Sequence, residues 1–345
     1  MKGNYSAIAA KLKAIEGTRL TETDFDELLS KSSVYEVYSA LVSHTGYKDV
    51  LSELPKEQVH RIEIEKRLRH EMLREYGRIY KFMDINQKRM FEYWFTRREI
   101  EFLKRGIRHL YNHETSEWIE DEDEFEEFFR HHTKLDCEMI ASAASIDRLI
   151  EACRNTPYAG ILMRSQNINA DYFSTSMMLD KFYYTSVWKA KDKYLDRRNQ
   201  RLFSDIFGME IDMNNIMWIY RGKKYFNMAP ETIVTLIPHR FRISEDTLKQ
   251  LISAETAEQV VAITERTPYK GLFNGTDDGF FPEENVNRIY RKKARYILEN
   301  EPESMAAVYS YFDLKEIEIY NITTIIESIR YSLDKQTIRR HINIS

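Results

Sequence analysis

Three acidic pairs are the residues best placed to do chemistry: Glu99 and Glu101, Glu210 and Asp212, Glu316 and Glu318, each pair split by one isoleucine (Ile100, Ile211, Ile317). Carboxylates that converge can hold a divalent cation or divide the work of acid and base. The same residues also suit a plainer duty, because an acid in the first turn of a helix complements the positive end of the macrodipole. Asp212-x-x-Asn215 and Glu318-x-x-Asn321 fit that duty, with apolar residues following at helical intervals: Ile216, Ile219 and Tyr220 in one case, Ile322, Ile325, Ile326 and Ile329 in the other. Helix starts therefore account for the pairs without a metal. The first pair departs from the pattern, with Lys104 where the others carry Asn.

Other reactive residue types lack the company that chemistry requires. His109-x3-His113 could set two imidazoles on one helix face, but no Glu follows the first His as a hydrolytic zinc site would need, so a solvated helix end is expected. His131 and His132 point in different directions on a helix. The run Glu117, Glu120, Asp121, Glu122, Asp123, Glu124, Glu126 and Glu127 has no Gly-centred ligand spacing, and a solvated acidic segment is its expected role. Gly271, Gly275 and Gly279 are not followed by Lys-Ser/Thr, so they do not form a phosphate loop, and neither GxGxxG nor GxSxG occurs in a useful context. Cys137 and Cys153 form no CxxC, which points away from a disulfide framework and towards a reducing compartment. No cofactor, metal or catalytic residue is expected.

The elements that position these residues emerge from self-comparison. HTGYKDVL, NTPYAGIL and RTPYKGLF place Tyr47, Tyr158 and Tyr269 at equal steps of 111, each two residues after a Thr (Thr45, Thr156, Thr267). The acidic pairs recur at Glu99, Glu210 and Glu316, in steps of 111 and 106, each four residues after an apolar side chain (Phe95, Ile206, Phe312). Two motifs in constant order define a tandem repeat. The units run 1–114, 115–227 and 228–345.

Between its two motifs each unit carries an amphipathic stretch: Ile64, Leu68, Met72, Tyr76, Ile79 and Met83 in the first; Leu179, Tyr183, Val187, Ala190 and Tyr194 in the second; Val286, Ile289, Tyr290, Ala294 and Ile297 in the third. In the first, Arg61, Glu65, Arg69 and Glu75 define the polar side. Pro157 and Pro268 make the Thr-x-Tyr element a helix stop and restart, in which the Thr hydroxyl can satisfy free backbone groups; Gly46 stands there in the first unit. Only 11 Gly and 7 Pro in 345 residues leave little for strand turns, so the fold class is all-α, and the β-branched run Thr232 to Ile237 is read as helix by context. A net charge of −4 advertises neither a nucleic-acid nor an anionic-membrane partner. The N-terminus is interrupted by Asn4, Lys11, Lys13 and Glu16, so no signal peptide is expected, and no stretch reaches the roughly 18 apolar residues of a membrane span.

The residues that carry the repeat also carry a likeness. KSSVYEVYSALVSHTGYKDVL, the LRHEMLREYGRIY helix, the central DIFGMEIDMNNIMWIYRGKKYF and the terminal EIEIYNITTIIESIRYSL resemble the C subunit of the prokaryotic V-type/A-type rotary ATPases, the counterpart of the eukaryotic d subunit. The spacing of Glu210, Asp212, Asn215 and Arg221 is similar to that family's helix-start pattern, repeated more loosely at Glu316, Glu318 and Asn321; with Glu99 these are the expected partner-binding residues. The resemblance implies three similar helical domains about a pseudo-threefold axis, forming a funnel that sits on the membrane rotor ring and receives the end of the central shaft. It implies a non-catalytic coupler on the cytoplasmic, inner face of the membrane, with the static membrane subunit as a further partner in a resting state. It implies neither a nucleic-acid partner nor a membrane span of its own. Equivalent units joined head to tail can close around an axis and leave a hole. Two other readings compete. A free-standing helical scaffold would have a shorter repeat, roughly 34 to 47 residues; a helical enzyme would need the carboxylates to converge on one site.

Overall fold

The computed structural model describes residues 5–43, 46–112, 133–275 and 282–342. Thr45, His113, His131, His132, Gly279 and the acidic run from Glu117 to Glu127 lie outside the described residues. Among the described residues the regular structure is helical, with no strand. The helices run α1 (Ser6–Glu16), α2 (Glu22–Leu29), α3 (Val34–Ser43), α4 (Lys48–Leu51), α5 (Arg61–Tyr80), α6 (Ile85–Phe91) and α7 (Tyr93–Asn112). They continue with α8 (Cys137–Ala141), α9 (Ile146–Ala152), α10 (Tyr158–Asn167), α11 (Tyr172–Tyr194), α12 (Arg197–Tyr225) and α13 (Pro230–Leu236). The last are α14 (Glu245–Ser253), α15 (Ala257–Thr264), α16 (Pro282–Asn300), α17 (Met305–Arg330) and α18 (Lys335–His341). The run from Thr232 is helical, as its context implies, and α13 opens on Pro230, whose missing N–H costs nothing in a first turn.

The helices belong to two compact bodies: residues 1–84, 201–210 and 264–345 form one, residues 85–200 and 211–263 the other. In the first, α16 and α5 lie along α17, with α1 and α3 also packed on it. The stripe read from the sequence is the face α5 buries: Ile64, Leu68, Met72, Tyr76 and Ile79 are all inside. In the second body α11 packs on α7 and α6, burying Leu179, Tyr183, Val187 and Ala190. Burying these side chains contributes roughly 1.5–3 kcal/mol each, which is why the stripes decide which face turns inward.

Short polar side chains start many of the helices. Thr21 and Asp24 make a capping box at α2, and Asp136, Ser145, Asp171, Asp196, Ser244, Ser304 and Asp334 each accept a backbone N–H at a first turn. Two of these caps correct the sequence reading. Asp196 and Ser304 start the helices that carry Asp212 and Glu318, so both acids lie deep inside their helices and neither is a cap. Glu99 likewise lies within α7. The reason is that apolar residues precede the acids as well as follow them, so the helix runs straight through. Glu75 is a second correction: it is buried, not on a solvated side.

The Thr-x-Tyr element works as expected where it is described. The Thr156 hydroxyl donates to the Cys153 carbonyl at 2.8 Å and accepts from the Tyr158 N–H at 3.2 Å. Thr267 repeats this with the Thr264 carbonyl at 2.7 Å and the Tyr269 N–H at 3.1 Å. Gly46 departs from the proline pattern for a steric reason, since a Cβ there would collide with the Thr18 carbonyl oxygen. Restoring the repeat's own residue should therefore harm the protein. Gly46→Pro is expected to destabilise it by at least about 2 kcal/mol, read as a lowered denaturation midpoint.

Candidate functional site

Three carboxylates, Glu99 on α7, Asp212 on α12 and Glu318 on α17, each serve a backbone amide just ahead of a short helix, Glu99 through a hydroxyl and the other two directly. Three short segments, Leu20-Thr21, Leu135-Asp136 and Ile243-Ser244, share one plan: a buried apolar residue followed by the cap of α2, α8 or α14. Asp212 on α12, with no exposed surface, accepts from the Phe241, Arg242 and Ile243 N–H groups at 2.8, 2.6 and 3.1 Å. One turn on, Asn215 donates to the His239 carbonyl at 2.6 Å. Asp212 thus supplies the acceptors that a chain reversal strips from three consecutive donors.

Glu99 on α7 makes the same connection through a relay. It accepts from the Thr133 hydroxyl at 2.6 Å, and that hydroxyl accepts from the Leu135 N–H at 3.2 Å. Glu99 also accepts from the Tyr158 hydroxyl at 2.6 Å. Burial and then the neighbouring carboxylate push the Tyr158 phenol far up, so it stays a donor. Burial likewise pushes the Cys153 thiol up to about 12, with Glu99 adding to it, which leaves a packed thiol with little thiolate character. Lys104, where the other repeats have Asn, pairs with Asp180 of α11.

In the first body Glu318 on α17 makes the corresponding join to residues ahead of α2 and α4. It accepts from the Leu20 N–H at 3.1 Å and from the Tyr47 hydroxyl, and it has Lys315 Nζ at 3.3 Å and Arg19 Nε at 3.4 Å. Lys315 is fully buried; its Nζ stands 4.6 Å from the centre of the Tyr47 ring and 3.7 Å from Glu75 of α5. The Tyr311 hydroxyl donates to Glu75 at 2.8 Å. Burial acts to raise the Glu318 carboxyl, but Lys315, Arg19 and the Tyr47 hydroxyl outweigh it and hold it below the ordinary carboxylate value. Burial drives both phenols, Tyr47 and Tyr311, well up, and the carboxylates beside them add to the rise.

The remaining residues singled out in the sequence divide by depth. Glu210 is buried and accepts from the Tyr309 hydroxyl at 2.7 Å. Asn321 is buried on α17, while Arg221 and Glu316 are half-buried. Of the three acidic pairs, Glu99 reaches inward in the first, both Glu210 and Asp212 are buried in the second, and Glu318 is the buried member of the third. Sequence reasoning missed Lys315, Tyr311 and Arg19, and it placed Glu75 on the polar side. The signal available for Lys315 was a lysine in an otherwise apolar stretch, one helical turn before an acid. Among the described residues, no three His, Cys, Asp or Glu side chains form a metal-ligand set.

An all-helical chain whose inward carboxylates are engaged by its own backbone and hydroxyl groups is a structural protein: its polar interior joins modules. The chain belongs to the ATP synthase (C/AC39) subunit family, which residues 8–341 match. Members of that family are structural, not catalytic. The chain is 23% identical to the A-type ATP synthase C subunit of Methanosphaera stadtmanae, over 95% of this chain and 84% of that protein. It is 23% identical to the C subunit of the Thermococcus kodakarensis A-type ATP synthase, over 98% of this chain and 90% of the relative, and 20% identical to that of Methanosarcina mazei, over 97% and 92%. No helix among the described residues is long and apolar enough to cross a membrane.

Two measurements test the joins. Asp212→Asn keeps the shape but sets an amide against three backbone donors, and it is expected to cost about 2–4 kcal/mol in denaturant unfolding. Lys315→Met leaves two buried carboxylates without their shared cation and is expected to cost about 3–5 kcal/mol. Adding Glu75→Gln to Lys315→Met should restore part of that loss, a coupling that independent sites would not show.

Proposed function

We propose that this chain is the central-stalk coupler of a rotary ATPase, a socket that takes the end of the driven shaft and seats it on the ion-carrying membrane ring. Membership of the C/AC39 family supports the setting. The observation that carries the finer reading is the join at Glu318: the last long helix holds the Leu20 amide and the Tyr47 hydroxyl of the first repeat. A tandem array fastened in this way has no loose terminal module to peel away under torque. Packed helices resist compression, so such a body passes rotation on with little slack.

In this reading the repeats 1–114, 115–227 and 228–345 are three domains that follow one another head to tail about a pseudo-threefold axis, each keyed to the next by its inward acid. The partners are the shaft subunits and the membrane ring, with the static membrane subunit in a resting complex, and the site of action is the inner face of the membrane. Of the residues expected to bind partners, Asp212, Asn215, Glu318 and Asn321 act from inside by fixing the modules. The half-buried Glu99, Arg221 and Glu316 are those with side-chain surface left for a partner.

The test is coupling in membrane vesicles. The chain is expected to co-purify with the ATPase, and a complex carrying Lys315→Met should still hydrolyse ATP while its ATP-driven ion uptake falls severalfold. A complex that assembles without this chain, or one in which hydrolysis and transport fall together, overturns the reading.

A further inference from the structure

Two carboxylates, Glu75 and Glu318, surround one buried ammonium, and they are not served equally. Glu318 has the Leu20 N–H, the Tyr47 hydroxyl, Lys315 at 3.3 Å and Arg19 at 3.4 Å. Glu75 has the Tyr311 hydroxyl at 2.8 Å, and Lys315 only at 3.7 Å, beyond hydrogen-bond reach. The other groups facing Glu75 do not repair the deficit. On its own helix, Glu71 is committed to Arg74 at 3.2 Å and Arg78 at 3.0 Å and adds negative charge. From α17 come Tyr311, Lys315 and Glu318, and ahead of α4 stands Tyr47, whose phenol is given to Glu318. Helix α1, which also packs on α5, buries only Ile8, Ala9, Leu12 and Ile15. An ionised carboxylate this deep, with one good donor, lacks the compensation its lost hydration demands.

We propose that closing the seam between α17 and the first repeat takes up one proton from solvent, carried by Glu75, so that the join is a proton-linked latch that tightens as the pH falls. With Glu75 neutral, Lys315 is left to Glu318 alone and the cluster loses its surplus negative charge. The inference goes beyond the coupler role, because it concerns the chain by itself and holds whatever the chain's partners are.

The direction follows from linkage. Burial is the largest influence on Glu75 and raises its carboxyl above the ordinary value, against Lys315 and the Tyr311 hydroxyl. The closed seam therefore binds that proton more tightly than an open, hydrated one, and closure weakens as the pH rises through the closed-state value. Glu318 is displaced the other way, stays ionised across this range, and reverses the trend only in stronger acid.

The Leu20 amide, which donates to Glu318, reports the seam directly. Hydrogen exchange on the full chain, corrected for intrinsic rates, is expected to show its protection factor rising from about pH 8 to about pH 5, by up to about tenfold per pH unit as one-proton linkage allows. Glu75→Gln should show at the upper pH the protection the natural chain reaches only at the lower one, and should be flat between them. Glu71→Gln should keep the natural slope. A flat or falling profile in the natural chain, a slope that survives Glu75→Gln, or a Glu75→Gln chain that fails to fold each overturns the proposal.

Discussion

A carboxylate withdrawn from water must be given donors, and a backbone amide withdrawn from water must be given an acceptor. The described joins depend on meeting both demands with one contact. Amides such as Leu20 and Ile243 stand just ahead of a helix, where no helical partner is available to them. An acid carried on a helix already packed nearby supplies the acceptor. Neither partner is tolerable alone, so the join is specific in register in a way that apolar contact is not.

The three versions of that join differ in how the negative charge is met. Asp212 is met by three peptide dipoles, Glu99 by two hydroxyls, and Glu318 by an N–H, a phenol and two cations. The first two connect neighbours along the chain, where sequence already keeps the parts close. The third connects segments almost 300 residues apart, with a far larger loop to close. Stronger, charged contacts stand at the place where the chain itself gives least help.

Much of this was legible in the residues. The helical class followed from scarce Gly and Pro and from stripes such as Ile64 to Ile79. The acidic pairs were found but given the wrong duty, because an Asp-x-x-Asn spacing describes a first turn and an interior face equally well; only the upstream caps Asp196 and Ser304 decide between them. Which of the paired acids turn inward was not legible, since that depends on the helix's rotation against neighbours. Glu75 was misread for a related reason. An acid at the margin of an apolar stripe looks solvated unless its partners are known, and Tyr311 and Lys315 lie well over 200 residues away in the chain.

The join at Glu318 bears on the order in which the parts can be assembled. Glu318 lies 298 residues beyond the Leu20 amide whose hydrogen bond it accepts. During synthesis the Leu20 amide and the Tyr47 hydroxyl therefore wait for that acceptor until α17 has been made.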